Sequence, residues 1–112
     1  MNYCYKGIGE VSATFETVDG AFIPVGAPVK LADSGKVAAC ENGDAFIGVV
    51  ESCSAGCAAV QLCGGVEVVC SGTEPAVGYV KLMADGAGGV CIGEGREYLV
   101  LAVSGGAAEI ML

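Results

Sequence analysis

Gly26-Ala27-Pro28-Val29-Lys30-Leu31-Ala32-Asp33, followed by Gly35 and Val37, returns later in the chain as Gly78-Tyr79-Val80-Lys81-Leu82-Met83-Ala84-Asp85, followed by Gly86 and Val90. The echo continues: Phe46-Ile47-Gly48-Val49 through Ser52 matches Tyr98-Leu99-Val100-Leu101 through Ser104, and Val60-Gln61-Leu62 matches Ile110-Met111-Leu112. Offsets stay near fifty residues. Each unit alternates apolar and polar positions between glycine-rich turns, which is the signature of half-buried strands. No stretch keeps apolar residues at helical spacing for three turns with caps. The class expected is all-β: a small barrel-like or sandwich domain with two pseudo-repeated β units, since two copies are too few for a solenoid.

Outward from the repeat, strands are expected at 11–18, 29–32, 36–40, 45–51, 58–63 and 66–70. Asp19-Gly20 is a tight-turn pair that would fold 21–25 back onto 11–18 as a hairpin. Asp33-Ser34-Gly35, Asn42-Gly43, Ser54-Ala55-Gly56 and Gly64-Gly65 supply the other turns. Residues 71–76 form a connector too short to separate two domains. The organisation expected is an N-terminal arm over 1–10 and a single β domain over 11–112, with repeat units at about 26–62 and 78–112.

The 112 residues are 54% apolar and 16% charged, with no Trp, so the chain folds around a thin core of small side chains. Thirteen Asp and Glu against five Lys and Arg give a formal charge of −8, which opposes direct binding to nucleic-acid phosphates and to anionic membranes. No run approaches the length of a spanning helix. Met1 to Gly7 lack the charged start and apolar stretch of an export signal, so the expected site of synthesis is a cytoplasm.

Cys4, Cys40, Cys53, Cys57, Cys63, Cys70 and Cys91 make an odd count, which in a reducing cytoplasm argues for free thiols. Cys53 and Cys57 are the nearest pair, and no CxxC knuckle exists. Small apolar strand residues are the expected role, with a metal site as the alternative. The absence of His removes the usual base of a Ser or Cys nucleophile. Most carboxylates lie in or beside turns, while Glu51 and Glu67 fall within strands and are expected to face solvent. Gly86-Ala87-Gly88-Gly89 and Gly93-Glu94-Gly95 complete no phosphate-binding motif and read as hairpin turns. Lys30 and Lys81, at matching repeat positions, are expected to face solvent. No catalytic, cofactor or metal residue is assigned.

The run Gly26-Ala27-Pro28-Val29-Lys30-Leu31, Gly35-Lys36-Val37, Asp44-Ala45-Phe46-Ile47-Gly48-Val49-Val50, Val60-Gln61-Leu62-Cys63-Gly64-Gly65-Val66 resembles small bacteriophage head decoration proteins and related capsid-cement proteins. The resemblance covers about residues 20–112. It implies a β domain, often trimeric, that sits on the outer face of the virion shell, contacts the major capsid protein and needs no cofactor. It also implies production in the host bacterial cytoplasm and an N-terminal arm, here with Tyr3, Tyr5 and Ile8 as capsid or subunit anchors. Two other classes stay open: a small binding or carrier module, although no lysine stands at a tight hairpin tip, and a non-catalytic subunit of an enzyme assembly.

All seven cysteines should titrate as free thiols when the protein is denatured without reductant. A smaller count, or stoichiometric zinc in the purified protein, would contradict the reading.

Overall fold

The computed structural model describes residues 9–112. Ten strands run through the described residues: β1 (Val11–Thr17), β2 (Pro28–Asp33), β3 (Lys36–Ala39), β4 (Gly48–Ser54), β5 (Cys57–Cys63), β6 (Gly65–Val69), β7 (Gly78–Ala84), β8 (Val90–Ile92), β9 (Arg96–Ser104) and β10 (Ala107–Met111). The first five close into a barrel in the order β1-β3-β2-β4-β5, and the last five form a sheet in the order β6-β10-β9-β7-β8. The protein is all-β, a small barrel with a second sheet of the same plan. Among the described residues no helix is long and apolar enough to cross a membrane.

The two halves share their strand order element for element, β6 standing for β1 and β10 for β5. They share finer features as well. In β4 and β5, Val50 faces Val60 and Ser52 faces Ala59, leaving Glu51 as the extra residue of a bulge; in β9 and β10, Val100 faces Ile110 and Ala102 faces Glu109, leaving Leu101 in the same place. The Thr17 N–H donates to Gly56 O at 2.9 Å, and the Cys70 N–H donates to Gly106 O at 2.7 Å. The barrel closes through a parallel pairing of Thr17 with Val37, and the second sheet curls to a single parallel bridge of Cys70 with Val90.

This register corrects part of the repeat alignment. Phe46 does not correspond to Tyr98: the pairings set Gly48 in that place, because Val29 faces Gly48 as Val80 faces Tyr98. Phe46 is instead the partner of Tyr98, stacked on it with ring centroids 5.0 Å apart. Against β3 and β8, by contrast, Leu31 faces Val37 as Ala84 faces Val90, so β7 holds two residues more than β2 between its two neighbours. An insertion of two leaves every side chain on its original face.

A second correction concerns 21–25. The tight turn forms, with Asp19 at φ 55°, Gly20 at φ 66° and the Ala21 N–H donating to Val18 O at 3.1 Å. No return strand follows, because β1 is already bonded to β5 along its length and to β3 at Glu16 and Thr17. The segment packs on the barrel instead. Ile23 drops into the core and its N–H donates to Cys53 Sγ at 3.4 Å, while Phe22 and Val25 stay outside.

Each half has its own core. Ile23, Val29, Val37, Val50, Ala58 and Val60 fill the barrel, and Leu82, Val90, Tyr98, Val100, Ala108 and Ile110 fill the second half. Val49 and Phe46 belong to the first half by sequence and to the second core by contact. The segment between β3 and β4 makes this possible by reaching across: the Gly43 N–H donates to Ala84 O at 2.8 Å, and the Ala84 N–H donates to Asp44 O at 3.0 Å. The Tyr98 hydroxyl donates to Phe46 O at 3.3 Å. Lys30 is not a bare solvent lysine, since its Nζ lies 2.7 Å from Asp44 Oδ2, which also accepts the Glu41 N–H at 2.8 Å.

The Lys30 ammonium and the Glu41 N–H hold the Asp44 carboxyl below the usual aspartate range. A lowered value in the folded state means that the contribution to stability is complete above the unfolded aspartate's range and is lost as pH falls through the folded value. Asp44→Asn should therefore melt lower than the parent near neutrality and converge with it in acid. Thermal midpoints between about pH 7 and about pH 2 test this, and a gap that persists unchanged to the acid end would refute it.

Candidate binding cleft

A cleft of about 550 Å³ lies where the two halves meet. One wall comes from the barrel: Val25 and Gly26 before β2, Val49, Val50 and Glu51 of β4, and Gln61 of β5. The facing wall is β6, whose five residues Gly65 to Val69 all line it, with Gly88 and Ala107 at its margin. Glu10 completes the lining just before β1 begins.

Glu51 reaches this cleft because it is the bulged residue of β4; a bulge locally breaks the alternation and re-aims the side chain. The Ser12 hydroxyl lies 2.6 Å from Glu51 Oε1 and 3.0 Å from Glu10 Oε2, and its one proton serves a single carboxylate at a time. Glu51 beside it holds the Glu10 carboxyl above the usual glutamate range. Glu10, with help from Ser12, holds the Glu51 carboxyl below that range. The two carboxylates stand close enough for each to oppose the other's charge.

Glu67 also lines the cleft and faces Glu109 across β6 and β10. Glu109 is 5% exposed, a buried carboxylate that the strand pattern alone did not single out. Gln61 is 4% exposed, and its Nε2 donates to Cys63 O and to Gly65 O, both at 3.0 Å. It fixes the corner from which the β6 wall starts.

Tyr3, Tyr5 and Ile8 lie outside the described residues, as does Cys4; of the expected arm only Gly9 and Glu10 are described. The other six cysteines are unpaired thiols. Burial pushes the Cys40 thiol up to about 11 and raises Cys70 as well, so both are poor nucleophiles near neutrality. Among the described residues no group of three or more His, Cys, Asp or Glu is placed to hold a metal ion. No family model and no curated protein matches this chain.

Replacing Gln61 by Leu keeps the volume and removes both amide hydrogen bonds, one of them to a buried carbonyl. The variant should lose about 1–3 kcal/mol in urea unfolding, the usual penalty for a buried carbonyl left unpaired. Unchanged stability would show that the corner does not depend on the amide.

Proposed function

We propose that this chain is a bacteriophage head decoration protein that binds the outer face of the capsid shell through the major capsid protein and stabilises it without catalysis. The observation that carries the reading is the large apolar side chains left in solvent: Phe22, Val25, Val69, Val77 and Tyr79 are between 60% and 71% exposed. These side chains supply apolar surface that association with another protein would bury. Association also adds the burial that a core of Val and Ala supplies only sparingly, at about 25 cal/mol per Å² of apolar area. A homo-oligomer is part of the same proposal, with the trimer as the favoured form because the resemblance to decoration proteins implies it. Many copies on a symmetric shell let weak single contacts act together.

The strand arrangement supports a load-bearing role, since most backbone groups are locked in a closed barrel and a sheet stitched to it. The acidic surface fits a position away from nucleic acid. Tyr3, Tyr5 and Ile8 enter the proposal as anchors on the shell.

Co-sedimentation of the purified protein with expanded capsids tests it. The parent should pellet with the shells, whereas Val25→Asp with Tyr79→Glu, or Ala at Tyr3, Tyr5 and Ile8, should lower occupancy by about tenfold or more while leaving the circular dichroism spectrum unchanged. Failure to co-sediment, or a stable complex with a cellular enzyme instead, would overturn it.

A further inference from the structure

We propose that the cleft between β4 and β6 seats an extended, basic segment of the partner polypeptide. The inference rests on the adhesion reading for the partner being a protein; its chemistry is read from the cleft itself. Five successive residues of β6 line one wall, a run of about 17 Å at strand spacing, which matches an extended peptide of similar length. Six valines line the walls, Val25 and Val69 among them exposed, so alternate side chains of such a peptide would find apolar contact.

Charge sets the remaining preference. Glu10, Glu51 and Glu67 all line the cleft, and the chain as a whole carries −8. Ser12 can donate to only one of Glu10 and Glu51 at a time, so a lysine or arginine arriving there supplies donors and a positive charge to both carboxylates. This cluster stands beside Gln61, opposite Ser12 in the β1–β5 register, and Gln61 binds Gly65 O at the start of β6. A cation would therefore lock one end of the segment while the valines take its length.

Fluorescence anisotropy with the full chain tests the proposal, using a labelled peptide of about eight residues that alternates lysine with valine and a control that alternates glutamate with valine. The lysine peptide should bind and the glutamate peptide should not. Glu51→Lys and the exposed Glu10→Lys should each weaken binding by at least about tenfold with the fold retained, and added salt should weaken it further. No binding, equal binding of both peptides, or undiminished affinity in both folded variants would overturn the proposal. A dimer that forms without peptide and is lost in Glu51→Lys would assign the cleft to a second copy, and binding gained only on removal of residues 1–8 would assign it to the chain's own N-terminal segment; either overturns it as well. Peptide failure beside intact capsid co-sedimentation defeats this inference alone, and the reverse result defeats the shell reading alone.

Discussion

Val49 and Val50 follow one another in β4, so their side chains leave opposite faces of the strand, and both are buried. Val50 packs inside the barrel and Val49 packs in the core of the second half. The start of β4 is thus a wall common to two cores. Gly48, just before them, comes so close to β5 that a Cβ there would lie 2.2 Å from Gln61 O. Neither core can be repacked without moving this wall, and Val49 and Val50 also line the cleft beside it.

The halves share a plan but divide the work of joining. Eight residues, 40–47, separate β3 from β4, whereas only Gly93, Glu94 and Gly95 separate β8 from β9. The longer connection carries Asp44 and Phe46 onto the second half, and the shorter one takes the chain from one side of β7 to the other. Aromatic stacking, two backbone hydrogen bonds across the junction and the Lys30–Asp44 ion pair all belong to that one insertion. Stacked rings at this separation add modestly to the area they bury, so the backbone pairing matters for direction as much as for strength.

Much of the fold was legible in the sequence because alternation and turn chemistry are local. Most strands of both halves, the Asp33-Ser34-Gly35 turn and the Gly86-Ala87-Gly88-Gly89 turn follow from period-two patterning and positive-φ residues. The hairpin expected at Gly93-Glu94-Gly95 does not form, because β8 and β9 pair not with each other but with opposite sides of β7. The return strand at 21–25 misled because a turn pair specifies its own bend and says nothing of whether an edge is vacant beyond it. Phe46 and Tyr98 looked like copies because both precede an apolar run, and only the pairing register shows them to be partners. The unbroken run Ile47-Gly48-Val49-Val50 did carry the signal for a strand buried on both faces. The cleft was less legible: Glu51 owes its direction to a bulge, which leaves no mark in composition, and Glu10 had been set apart with the arm.

The bulge occurs twice, and its two occupants differ. Glu51 takes the position in the first half and Leu101 in the second. A backbone irregularity present in both halves is part of the common plan, so its geometry is retained whichever side chain it displays. Redundancy of this kind separates two requirements that a single copy would have to meet with one residue. One bulge can stay apolar, while its twin is free to present a charge to whatever the surface meets.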